Sequence, residues 1–363
     1  MGKWSKLSIS MQRTILFLFV FSVMLTSYML IVEKRETDNK RDNIKEVTVG
    51  NPVTDNKGKI EDISDTEINI SGVKYEYAVT LRAILRAENK MVLKQAEVEF
   101  TVNNNKIDHI NRIQLQSSGA SSTVKAANYL VLSGDNKEFN GDIVVNADYI
   151  MIRDININGN FTSTDQNNHF LYLDNVQVED QTLIASKGQV FLKDTHLNKV
   201  SNEANLVLRA KSEVEELKQT KEATVIVEKQ AVINKYIPIV NNSTLSLYGE
   251  IKTIEADTSF LLTGTGTIRQ LLLEKHSSLS SIFTGEITNL LLPNGKSPQL
   301  LLVDYDELIE SIEKVNGKLV DNNSTVSEFY KHQKSEALKV PENNGIKSPD
   351  IKKPVQPSKT DTE

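Results

Sequence analysis

Three aspartates, Asp154, Asp174 and Asp194, recur at one fixed interval, and theirs are the side chains in this chain whose type and spacing best suit chemistry. Each closes a short apolar run: Tyr149-Ile150-Met151-Ile152-Arg153-Asp154, Phe170-Leu171-Tyr172-Leu173-Asp174 and Val190-Phe191-Leu192-Lys193-Asp194. Stacked one above another at about 5 Å, such carboxylates can hold a cation, with Ca²⁺ the candidate ion, or act as acid and base toward a glycan. Like charges at that distance repel by about 1 kcal/mol in water and about 3 kcal/mol at an effective dielectric of 20. A ladder of this kind therefore needs a cation, a proton or basic neighbours, and Arg153 and Lys193 stand beside two of the three aspartates. A second reading competes, in which each Asp ends a strand and caps the turn. Gly134, Gly249 and Gly264 fill the same place in other segments, which favours the turn reading.

Other chemistry is sparse. His109, His169, His196, His276 and His332 are dispersed and form no i,i+4 metal pair, although His169 and His196 fall in adjacent repeats. No Gly-x-Ser-x-Gly, His-Glu-x-x-His or phosphate-cradling glycine loop occurs, and Thr263-Gly264-Thr265-Gly266-Thr267 opens no helix. Cysteine is absent, which excludes disulfides, thiolate metal sites and cysteine nucleophiles. A net charge of -6 with both signs interspersed gives no phosphate-neutralising patch, so nucleic acid is excluded as a partner. Aromatic residues make up only 6% of the chain, and sugar-stacking platforms are accordingly scarce. Lys74, Arg82, Arg86, Lys90 and Lys94 read as a solvated helix face, with an anionic-polymer site as the alternative.

The elements that must position these residues come from the repeat itself, whose period is about 20 residues. Leu130-Val131-Leu132-Ser133-Gly134 extends that period one unit upstream, and looser units follow at Leu206-Val207-Leu208, Val225-Ile226-Val227, Leu245-Ser246-Leu247, Phe260-Leu261-Leu262 and Ile282-Phe283. Short strands repeating at a fixed period are the signature of a solenoid. Residues 123–303 are thus expected to form a parallel β-helix of about nine turns, roughly 40 Å long. Before it, residues 57–118 alternate as a small β domain with a short helix over 79–87, joined through a Ser/Gly-rich hinge at 117–122. After it, residues 304–334 offer a helical cap, with Asp304 as N-cap, apolar residues at 308, 309, 312 and 315, and Gly317 at its end. Such caps cover the unpaired strand edges of an open solenoid.

The termini differ in kind. Residues 1–13 carry Lys3, Lys6 and Arg13 and no acid, and the apolar run 15–32 is about 27 Å long as a helix, close to a bilayer core. Residues 1–32 therefore read as a signal anchor or a cleaved signal peptide. As an anchor they form a single-pass transmembrane helix with the N-terminus inside and the bulk of the chain outside; after cleavage the protein is secreted or wall-associated. Residues 33–56 read as a disordered spacer and residues 335–363, with four prolines, as a disordered tail.

The run from Phe139 to Phe161, with Asp142-Ile143-Val144-Val145-Asn146 and Ile155-Asn156-Ile157-Asn158-Gly159, resembles the β-helical repeats of exported surface proteins of Bacillus-like Gram-positive bacteria. Residues 58–119 resemble the small β module that precedes such repeats. The resemblance covers roughly 58–292 and implies a pectate-lyase-like parallel β-helix of the S-layer-associated type, although S-layer homology repeats are missing. It also lacks the Asn-Thr-Asp, Asp-Asp, Gly-His-Gly and Arg-Ile-Lys pattern of pectin hydrolases, so it carries over no catalytic residue. The expectation is an all-β cell-envelope protein, tethered to the bacterial membrane through residues 15–32. Its β-helix serves as a structural or binding scaffold toward wall polysaccharide or an envelope protein, and a polysaccharide lyase or hydrolase of the same fold is the alternative.

Overall fold

The computed structural model describes residues 54–121 and 128–320. The apolar run 15–32, most of the spacer and the tail 335–363 lie outside them. Among the described residues no helix is long and apolar enough to cross a membrane.

The chain opens on a small antiparallel module. Its strands are β1 (Thr54–Ile63), β2 (Glu67–Ile70), β3 (Val73–Tyr77), β4 (Glu97–Asn103) and β5 (Lys106–Leu115). β1 begins inside the expected spacer, where Thr54, Asp55 and Asn56 pair with Val102, Thr101 and Phe100. Ser71 and Gly72 turn the β2–β3 hairpin with left-handed φ of 50° and 82°, as a tight hairpin turn requires. The helix expected over 79–87 is corrected: a 3₁₀ turn at Val79–Leu81 ends, Arg86 is extended, and a second turn at Ala87–Asn89 leads into α1 (Lys90–Leu93). Asn89 explains the break. It is 1% exposed, and its amide donates to the carbonyls of Ile84 and Ser133 while its Oδ1 accepts from the Ser133 N–H. Those bonds hold the module against the first repeat.

The repeats then stack. They comprise β6 (Leu130–Phe139), β7 (Asp142–Val145), β8 (Ile150–Ile157), β9 (Phe161–Ser163), β10 (Leu171–Ile184), β11 (Gln189–Lys193), β12 (His196–Asn202), β13 (Asn205–Arg209) and β14 (Glu213–Gln219). The ladder continues through β15 (Thr224–Val227), β16 (Val232–Pro238), β17 (Ser243–Leu247), β18 (Glu250–Ala256), β19 (Phe260–Gly264), β20 (Thr267–Leu273), β21 (Leu279–Phe283) and β22 (Glu286–Leu291). From β6 onward each strand pairs in parallel with the equivalent strand of the next turn, which is the β-solenoid the period implies. β5 belongs to both parts. It is antiparallel to β4 and parallel to β7, so the sheet continues from the module into the solenoid.

Inside, each register position forms a column. Ile152, Leu173, Leu192, Leu208, Val227 and Leu247 stack rung on rung, all 0% exposed. Burying each such side chain is worth about 1.5–3 kcal/mol. The steps along this column are unequal, longest from Ile152 to Leu173 and shortest from Leu192 to Leu208, so the period is an average over turns of different length. One column contains two buried polar members, Thr182 at 1% exposed and Tyr236, 0% exposed between Leu217 and Ile254 with Ser243 beside its hydroxyl. Burial pushes its phenol well above the ordinary range.

The expected helical cap is also corrected. Among its described residues, and the few before it, only α2 (Pro298–Leu301), α3 (Tyr305–Leu308) and a 3₁₀ turn at Ile309–Ser311 are helical, and 321–334 lie outside the described residues. Leu302, Ile312 and Val315 instead pair in parallel with Leu279, Ile287 and Leu290, so the segment forms one last irregular coil. Of the apolar residues spaced to suit a helix face, Leu308 lies in α3 and Ile309 in the 3₁₀ turn, whereas Ile312 and Val315 are buried at strand-paired positions of that coil. Gly317, with Asn316, turns a hairpin between β23 (Lys314–Val315) and β24 (Lys318–Leu319). Asp304 makes no helix-cap bond; its Oδ2 accepts from the Ser281 N–H on the preceding rung.

Candidate functional site

The aspartates do not stack on one another. The turn from Arg153 to Asp174 is one longer than the 20-residue spacing of the aspartates and the turn from Asp174 to Lys193 one shorter, so Asp174 lies beside Arg153 on one side and Lys193 on the other. Leu173, and not Tyr172, shares the column of Ile152 and Leu192. The position that aligns with Asp154 and Asp194 is Asn175, followed by Ala210. Asp154, Asp194, Asn175 and Ala210 are all left-handed, with φ of 52°, 50°, 56° and 51° in that order. Asp and Asn tolerate that conformation better than other non-glycine residues, so at Asp154 and Asp194 the turn reading accounts for residue type. Gly264, expected in the place of the aspartates, instead continues the column of Ile152 and Leu247, with φ of 107° and a Cβ that would sit 2.1 Å from the Leu247 carbonyl.

Charge in this region is internally matched. Lys193 Nζ lies 3.1 Å from Asp174 Oδ1 and 3.9 Å from Asp194 Oδ2, and Arg153 Nε lies 3.5 Å from Asp154 Oδ2. The hydrogen bond to Asp174 holds the Lys193 ammonium above its ordinary pKa. Asn175 Nδ2 donates to both Asp154 Oδ1 and Asn136 Oδ1, each at 2.9 Å. The ladder thus supplies its own cations.

The histidines separate. His169 stacks on Tyr149 at 4.8 Å and sits 3.1 Å from Asp148, whereas His196 faces Glu213 on the next rung. Ligand atoms of His196, Glu213 and Glu215 lie within 4.8 Å of one another, a convergence hidden in the sequence because the turn from His196 to Glu213 is shorter than the mean period. Among the basic residues singled out above, Lys90 pairs with Asp62, and Arg86 with Glu88 and Asp135. Arg82 lines a cleft of about 730 Å³ between module and solenoid, together with Asp135 and Lys137.

A larger feature runs across the strands. An open groove of about 1000 Å³ follows one face of the solenoid over β5, β7, β9, β10, β12 and β14. One wall is a single register column, Arg112, Asp142, Asn160, Gln181, Lys199 and Glu216, and the floor includes Val144, Thr162, Leu183 and Ser201. Hydrogen-bonding groups therefore recur along it at about the 4.8 Å rung spacing. Asp142 Oδ1 accepts from the backbone and side-chain N–H groups of Asn160. Lys199 makes no ion pair among the described residues. No motif marks this groove in the sequence, since successive members lie a full turn of chain apart and become neighbours only through register.

On another face, low aromatic content is concentrated and not spread. Tyr172 stacks on Phe191 at 4.4 Å, Arg209 covers the other side of Phe191 at 4.5 Å, and Tyr129 meets Tyr172 edge-on at 5.1 Å. Desolvation, aided by the neighbouring Tyr172 hydroxyl, pushes the Tyr129 phenol up to about 12. The stack runs from rung to rung, so its ring faces are spent on one another and it acts as an external staple; Phe170, 39% exposed, is its open member. The even spacing of Tyr129, Tyr149 and His169, in step with the repeat, was the available sequence signal. Comparison with known protein families, curated proteins and solved structures finds no significant match to this chain.

Proposed function

We propose that this chain is an outward-facing cell-envelope protein whose β-solenoid binds an extended, hydroxyl-rich wall polymer along the groove. One observation carries the reading: a column of guanidinium, carboxylate, amide and ammonium groups repeating at the rung spacing beside an open groove. A linear polymer laid along the axis meets a donor or acceptor at every rung, and many individually weak bonds sum over six strands. The basic N-terminal flank and apolar run 15–32 support tethering at the bacterial membrane, with the solenoid outside. Binding is favoured over a polysaccharide lyase or hydrolase activity. The two carboxylates of the column, Asp142 and Glu216, stand four rungs apart, about 19 Å, beyond the roughly 5–9.5 Å of glycosidase acid–base pairs.

The test is co-sedimentation of the full chain with purified Gram-positive cell walls and with soluble wall glycan as competitor. Retention that falls several-fold in Lys199→Ala, with the circular dichroism unchanged, supports the reading. Equal retention of variant and parent removes the groove from it.

A further inference from the structure

Among the solenoid carboxylates without a lysine or arginine partner, two converge with a histidine. Glu213 and Glu215 project from the same side of β14 at alternate positions and form no ion pair with any Lys or Arg among the described residues. What faces them is His196 from β12, with Nδ1 3.9 Å from Glu213 Oε2. From the other side, Asn234 on β16 spreads its amide nitrogen between Glu213 Oε1 at 3.0 Å and Glu215 Oε2 at 2.6 Å. That leaves Asn234 Oδ1 buried and without a partner. Two carboxylates are thus bridged by a neutral amide and faced by an imidazole, with no lysine or arginine in ion-pair contact among the described residues. Glu215 also lines a concavity of about 500 Å³, which shares Gln181, Lys199 and Glu216 with the main groove, so the cluster is open to solvent.

We propose that His196, Glu213 and Glu215 form a binding site for one divalent transition-metal ion, with the imidazole and the two carboxylates as its protein ligands. The donor set selects the class. An imidazole with two carboxylates suits Zn²⁺ and its first-row neighbours, whereas Ca²⁺ prefers a larger, all-oxygen shell. Their ligand atoms already lie within 4.8 Å of one another, so modest side-chain rotation brings them onto one ion. Three protein ligands leave at least one coordination position open, where water or a ligand oxygen can bind. The ion would also tie β12 to β14 from outside. None of this depends on the polymer reading.

The experiment titrates the chelator-treated full chain with Zn²⁺ by calorimetry and with Co²⁺ by visible absorption. The expected result is one site that weakens at least about tenfold in both His196→Gln and Glu215→Gln and is unchanged in Glu179→Gln one rung away, with excess Ca²⁺ failing to displace Zn²⁺. Both site substitutions are near-isosteric and lie outside the core, and far-ultraviolet circular dichroism confirms that the variants fold. Equal stoichiometry and affinity in parent and variants, absence of Zn²⁺ binding in the parent, or displacement by Ca²⁺ would each overturn the site.

Discussion

Two acidic regions on the solenoid surface look alike in composition and differ in wiring. Around Asp154, Asp174 and Asp194, every carboxylate has a lysine or arginine within 4.0 Å, and a left-handed turn dictates where Asp or Asn stands. Around Glu213 and Glu215 the residues are ordinary strand positions, no turn demands them, and no lysine or arginine balances them. Regular spacing therefore marked the region where acid is structural, and the region where acid is unexplained by structure had no regular spacing at all. For a solenoid, periodicity points to the scaffold, and departure from it is the better pointer to chemistry.

The comparison can be pushed from both sides. The largest effect is expected beneath it: Leu192→Ala, in the core column under the aspartate turns, should cost about 2–5 kcal/mol in denaturant unfolding, because the rungs on either side close poorly over a cavity. A loss under about 1 kcal/mol would mean the turns, and not the core, hold this register. Next, Ala210→Gly should stabilise by about 1 kcal/mol, since Ala210 takes the left-handed place of Asp154 and Asp194 without their side chains; no gain would refute the conformational account of that column. Asn234→Lys should convert the second region into the first, raising stability by at most about 1 kcal/mol at low salt, an increment that fades at high salt, and abolishing Zn²⁺ binding. Smallest is a pH effect at Lys193. Its ammonium is held above the ordinary lysine value by Asp174, so its contribution is fully present below about pH 10.4 and is lost as pH rises through the folded pKa. Lys193→Ala should flatten that alkaline limb of the stability profile; an unchanged limb would assign it elsewhere.

Much of the architecture could be read before any coordinates. Alternating apolar residues in Ile150–Ile157 and its successors give strands, and their recurrence gives the stack, because both follow from local pattern. Register did not follow. An even period aligns Asp154 with Asp174, but one long turn followed by one short turn moves Asp174 onto Arg153 and Lys193, and a single position of slip changes every neighbour. The helix expected at 304–317 forms only over 305–311 for a related reason: Ile312 and Val315, which suit a helix face, suit equally well the inward strand-paired positions of one irregular coil. The groove and the His196 cluster were invisible for want of register alone. Their members are unremarkable residues on separate strands.

One feature of the module bears on how such a rod comes to exist. β5 is fully paired on one side within the antiparallel module and presents its other edge to β7. A parallel stack ordinarily begins with a costly long-range closure. Here the first rung adds to a strand that local hairpins have already ordered, much as a crystal grows from a seed, and the bonds of Asn89 to Ser133 pin the first repeat in place. Such a seed favours growth in the direction of synthesis, each coil a template for the next, with the irregular coil at 302–319 paired against the last turn.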